Sequence, residues 1–189
     1  MVIHEKALVR EMKEAYKGWG YTVLRLPGNR WVFYSRAWAV AIEGQNNVPN
    51  ALLSLIVLHM GYLPETETAY RIYKTDTGPA VQQEVYETAL ESFRALELQR
   101  HETDEAPVRI LRTKLMLGRC RVWQQEKDLG IALIDPTFES ILEDKKNVRR
   151  VGEAIYAEGA ISCVYIMRVK NDANKAQLAH LEQMQWVEA

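Results

Sequence analysis

Glu43 and Asp135 are the carboxylates whose positions could carry chemistry. Each stands at the carboxyl end of a strand-like run, AVAIEG (39–44) and IALIDP (131–136), just before a helical pattern. In open α/β sheets ligands favour that edge. Two carboxylates at matching places could bind a metal or divide acid and base roles. Capping alone accounts for Asp135, since Asp followed by Pro is a helix start. A second constellation is basic: Arg119, Arg121 and Trp123, with Arg109, Arg112 and Lys114 nearby. On one strand face, Arg119, Arg121 and Trp123 could contact phosphates and stack a base. The solvated face of an antiparallel sheet gives the same pattern. A third is Arg36, set among Tyr34 and Trp38, either of which could stack on its guanidinium.

Other chemistries lack their residues. His4, His59, His101 and His180 share no spacing, and Cys120 and Cys163 form no C-x-x-C, so no zinc site is expected. Both cysteines lie in apolar runs, as buried free thiols do. Nucleophile elbow, phosphate loop and H-E-x-x-H are all missing. No cofactor or metal is expected.

The bulk properties narrow the field further. The chain has 189 residues, 24 basic and 25 acidic, for a formal net charge of -1. That balance gives nucleic-acid binding no support, although a local basic patch leaves it open. A length near that of one ordinary domain suits a soluble globule. The amino-terminal residues are charged throughout, and the apolar run 51–60 is too short to cross a bilayer, so a cytoplasmic protein is expected.

The elements that must position these residues follow from periodicity. Helices are expected over 3–17, 48–60, 81–98, 136–158 and 171–186. Strands are expected over 21–26, 30–43, 68–74, 108–117, 119–124, 131–135 and 161–170. Asn47 or Asn50 can cap the second helix, and Gly61 suits its left-handed end. RWVFYSRAWAVAIEG (30–44) is apolar on both faces, so it should break near Ser35-Arg36. The stripe Ala37, Ala39, Ala41 would let the apolar helix approach. Trp38, Val40 and Ile42 would then need cover from another helix or a partner chain.

The expected fold is α+β, a mixed, mainly antiparallel sheet flanked by helices. Two αβββαβ halves, 1–99 and 100–189, would form one unit, with the polar segment 100–106 as boundary. AYRIYK (69–74) would match VYIMRVK (164–170) in an internal repeat of ~85 residues.

RRVGEA (149–154) fits the pattern Arg-x-x-Gly-x-Ala, and 169–189 places Asn174, Ala176 and Leu178 ahead of a terminal Met-Gln-Trp. In this the carboxyl-terminal third resembles the acetyl-CoA-dependent N-acetyltransferase superfamily. The resemblance implies an acyl-CoA pyrophosphate held by backbone N–H groups at 149–154, provided that a helix follows the loop. The leading expectation is a binding or interaction module acting through protein contacts or a homodimer. An N-acetyltransferase-like enzyme is the alternative. Ligand or partner contacts are expected at Arg36, Trp38, Glu43, Asp135, Arg119, Arg121 and Trp123.

Overall fold

A computed structural model describes residues 2–101, 108–126 and 130–169. The fold is α+β. Among the described residues an eleven-stranded sheet carries four α-helices, and every strand pairing in it is antiparallel. The amino-terminal half runs α1 (Glu5–Lys17), β1 (Tyr21–Leu26), β2 (Arg30–Tyr34), β3 (Trp38–Ile42), α2 (Asn50–Met60), β4 (Thr68–Thr75), β5 (Gly78–Glu84) and α3 (Tyr86–His101). The carboxyl-terminal half runs β6 (Val108–Leu117), β7 (Cys120–Gln125), β8 (Ile131–Ile134), α4 (Pro136–Glu139), β9 (Arg149–Val151), β10 (Ala154–Glu158) and β11 (Ser162–Met167). The spatial order is β5-β4-β1-β2-β3-β11-β10-β9-β6-β7-β8. The order β5-β4-β1-β2-β3 is thus matched by β10-β9-β6-β7-β8, with β11 inserted between the two sets.

The chain breaks after Tyr34, and β2 and β3 pair as a hairpin with Trp31 opposite Ile42 and Phe33 opposite Val40. Trp31, Phe33, Trp38, Val40 and Ile42 join the core beneath α1 and α2, with Leu8, Met12, Leu52 and Ile56. This core continues into the second half through Trp123, Ile134 and Ile141. The opposite face, with Val32, Ala39 and Ala41, packs under Ala89, Leu90 and Phe93 of α3. One expectation is corrected here. Ala39 and Ala41 lie in the cluster of α3 and its Phe93 and not under the 48–60 helix, while Ala37 packs against the α1–α2 core. Of the two covers expected for Trp38, Val40 and Ile42, helices supply it, α1 and α2.

α1 starts at His4, whose ring accepts a hydrogen bond from the Ala7 N–H at 3.2 Å, and it buries Ala7, Leu8 and Met12. Gly20, at φ +84°, then lets the chain turn back onto β4: a Cβ there would stand 2.8 Å from the Ile72 carbonyl. α2 ends at Gly61 in the left-handed conformation, as its sequence implies. Neither Asn47 nor Asn50 caps it. Pro49 holds the cap position without a side-chain bond. The helix is apolar nearly all round yet covered on one side only: Leu52, Leu55, Ile56 and Met60 are buried, while Leu58 is 72% exposed.

Three further segments differ from expectation. Residues 78–84 form β5, so 81–84 are not the first turn of a helix: the two-residue turn Asp76–Thr77 folds the chain back and pairs Gly78 with Thr75 of β4. The helix expected over 136–158 stops after one turn, and the remainder becomes β9 and β10 around Gly152, whose φ is +50°. VYIM (164–167) consequently lies on β11, beside β10 and β3, while the place matching β4 is taken by β9. The polar boundary 102–106 and the expected helix 171–186 lie outside the described residues.

Candidate functional site

α1 stands between two concave surfaces. On one flank, a groove of about 510 Å³ separates it from α2. Lys6, Arg10, Lys13 and Lys17 recur along α1 at spacings of four, three and four, so they share one side of the helix. Lys74 of β4 joins them at the groove's far end. The floor is apolar and is built from Val9, Tyr16, Leu55 and Leu58. Lys17 pairs with Glu14 at 2.7 Å and Arg10 with Glu11 at 2.8 Å. Among the described residues no ion pair engages Lys6, Lys13 or Lys74. The groove therefore keeps an excess of positive charge around apolar surface.

His59 sits in this groove. Its ring stacks on Tyr16 at 3.9 Å between centroids, and its Nδ1 lies 2.9 Å from the Tyr21 hydroxyl. Burial, with Lys13 beside it, lowers the histidine's pKa. Burial raises that of Tyr21, with Tyr16 adding to the effect. At neutral pH Tyr21 thus keeps its proton and the imidazole is uncharged, and the hydrogen bond between them ties the end of α2 to β1.

On the other flank, a cleft of about 410 Å³ lies between α1, the β2–β3 turn and α4. It gathers three of the expected residues, Arg36, Trp38 and Asp135, with Glu11, Glu14 and Trp19. Arg36 is exposed and lies 4.2 Å over the ring of Trp19, so neither Tyr34 nor Trp38 supplies the expected stack. Trp38 is 2% exposed and forms the cleft's inner wall. Asp135 caps α4 by accepting from the Thr137 N–H at 2.8 Å. Beside Arg36 a smaller polar pocket holds Tyr34, Arg71 and Glu84. Burial and the nearby Glu84 push the Tyr34 hydroxyl up to about 12.

The remaining expected residues lie elsewhere. Glu43 is exposed and pairs with Arg30 at 2.6 Å, and Arg30 also holds Glu97 at 2.5 Å. Glu43 and Asp135 therefore engage separate partners. Trp123 is buried in the core, so it offers no ring for stacking a base. Arg121 points at the buried carboxylate of Glu139 at 3.1 Å. Arg112 contacts the same carboxylate, and Lys145 approaches it at 4.0 Å. Arg119 lies before β7, exposed in the turn. Arg112 and Arg121 thus fasten α4 to β6 and β7, while Arg109 pairs with Glu126 at 3.5 Å. Cys120 and Cys163 are free and buried, and burial raises both thiols.

RRVGEA runs along β9, through the turn at Gly152 and Glu153, and into β10. No helix follows its loop there, so it lacks the convergent N–H groups that a pyrophosphate needs. This corrects the acyl-CoA expectation; the segment's other half, 170–189, lies outside the described residues. Among the described residues no group of three His, Cys, Asp or Glu could hold a metal, and no helix is long and apolar enough to cross a membrane.

No protein-family model matches the chain, and neither does any curated protein. Among solved structures, the Helicobacter pylori beta clamp in complex with 3,4-difluorobenzamide is similar over 92% of this chain at 8% identity, with a TM-score of 0.33. This chain spans 65% of that protein's length.

The sequence did carry a signal for the groove. The basic stripe Lys6, Arg10, Lys13, Lys17 lies opposite the apolar face of α1, and the apolar excess of α2 marks the surface that faces it.

Proposed function

We propose that the chain is a protein-binding module that takes an acidic, amphipathic helix into the groove between α1 and α2. The observation that supports this is a basic rim around an apolar floor: Lys6, Lys13 and Lys74 above Val9, Leu55 and Leu58. A third helix laid there would cover Leu58 and set carboxylates against the lysines, which is the helix-in-groove mode of recognition. Its basic rim would hasten encounter and select the sign of the partner's charge. The two free, buried thiols suit a reducing, cytoplasmic setting. Residues 1–99 and 100–189 are taken as two halves of one binding unit.

A fluorescent helical peptide with leucines on one face and glutamates flanking them tests this reading. Saturable binding is expected, weakened by salt and lost in both Leu58→Glu and Lys13→Glu. Equal binding of a lysine-flanked version, or none up to millimolar peptide, would refute it.

A further inference from the structure

The repeated strand order marks a vacant place at one edge of the sheet. In the carboxyl-terminal set, the strand at the outer position is β10, and an antiparallel neighbour, β11, covers it from Ala154↔Met167 to Glu158↔Cys163. In the amino-terminal set the same position is held by β5, which among the described residues has no neighbour on its outer side. After β10 the chain turns back as another strand. After β5 it leaves the sheet as α3. The other end of the sheet is not left in the same way, because the Leu133 carbonyl of β8 accepts from the Val169 N–H at 2.8 Å.

An exposed strand edge is a template for pairing, and proteins commonly blunt it with lysines. β5, GPAVQQE, contains no lysine or arginine, and its one charge, Glu84, stands at the end. Pro79 is next to the other end, where it removes at most one ladder bond. Val81 pairs with Ile72 and so shares the α2 face of the sheet, where it is 37% exposed. Its surroundings are apolar as well. α2 packs against β5. His59 turns toward α1, so Val57, two residues earlier, stands on the opposite side of that helix, and it too is exposed. Val85, just beyond the strand, is exposed, as is Tyr62, whose ring packs on Tyr70 of β4.

We infer that β5 pairs antiparallel with β5 of a second copy of this chain, joining two sheets edge to edge across a twofold axis. The strand's own sequence favours this occupant. With Val81 facing Val81, Ala80 falls opposite Gln82, Pro79 opposite Gln83 and Gly78 opposite Glu84. No like charges meet, and the apolar residue lies on the axis. A twofold joint uses the same patch on both chains, so Val57 and Tyr62 would be brought in from each side. This surface is separate from the α1–α2 groove and does not depend on what the groove binds.

Sedimentation equilibrium of the full chain, with hydrogen exchange followed at low and high protein concentration, tests the inference. A two-chain mass is expected, with β5 amides exchanging more slowly as concentration rises. Val81→Lys, on an exposed position, should return a one-chain mass with unchanged far-UV circular dichroism, whereas Lys13→Glu in the groove should leave the dimer intact. A one-chain mass at every concentration would overturn the inference. So would a dimer that survives Val81→Lys, or one whose β5 amides exchange alike at both concentrations. The exchange measurement on the unaltered chain decides the matter even if the lysine variant does not fold.

Discussion

The connections that leave β3 and β8 close the same face of the sheet by different means. After β3 the chain builds eleven residues of α2 and buries Leu52, Leu55, Ile56 and Met60. After β8 it builds a single turn, α4, then crosses back as strands. That turn adds Phe138 at the edge of the core and plants one carboxylate, Glu139, among Arg112, Arg121 and Lys145. One half is thus closed by apolar area alone, the other by a smaller apolar set, Phe138, Ile141, Leu142 and Val148, joined to a charge cluster. Apolar closure is non-directional and tolerates a covering helix with surplus apolar residues. Ionic closure fixes one geometry and spends its basic residues internally. This is why the basic groove belongs to the amino-terminal half, although the carboxyl-terminal half has the denser run of arginines.

The largest effect should follow from opening the apolar side. Ile56 is fully buried under the sheet, and Ile56→Ala should cost about 2–5 kcal/mol, as large-to-small core changes do. Chemical denaturation measures it. A loss near zero would mean that α2 does not close this face, and the contrast between the halves would fail.

How much of this contrast could be read beforehand depends on what marked each segment. α2 was legible because its apolar run is broken only by Ser54 and His59 and Gly61 ends it. The break between β2 and β3 was legible because a strand apolar on both faces for thirteen residues is too long. Residues 137–158 were not legible as strands. Phe138, Ile141 and Leu142 fit a helical stripe, and Val148, Val151 and Ile155 continue it by coincidence of spacing. The contrary signals were Gly152 and the polar run Glu143–Asn147, which carries no apolar residue to hold a helix down. β5 was hidden for a similar reason: VQQE gives no alternation that separates a strand from a helix start. Of the expected contacts, Arg36, Trp38 and Asp135 converge because β2–β3 and α4 both border α1. Trp123 and Arg121 were read as surface because strand parity does not say which face is solvated.

A smaller effect should come from the ionic side. Glu139→Gln keeps the shape and removes the charge, leaving two guanidinium groups facing a neutral amide. Arg112 and Lys145 are partly exposed and can turn to water, so a loss of about 1–3 kcal/mol is expected. The stability difference between the parent and Glu139→Gln should also shrink in high salt, because the partly exposed charges around Glu139 are screened there. The corresponding difference for Ile56→Ala should stay the same. Equal salt responses in the two variants would erase the distinction between the closures.

The smallest effect is one of pH, and it falls in the apolar half. His59 is held neutral by burial and by Lys13, with Lys6, Lys17 and Lys74 around the same groove and Glu14 the opposing charge. Its folded pKa lies below the ordinary histidine value of about 6.5. The unfolded chain therefore takes up a proton first as pH falls. The contribution of the neutral ring is fully present above about 6.5 and is lost as pH drops through the lowered folded value. Denaturation at pH 7.5 and 5.5 should show the parent less stable in acid, and His59→Gln should lose part of that difference. A parent that gains stability on acidification, with the gain abolished in His59→Gln, would mean that the ring is charged in the folded state. The α1–α2 groove would then be closed by charge, as α4 is, and the contrast drawn from the two connections would not extend to the binding surface.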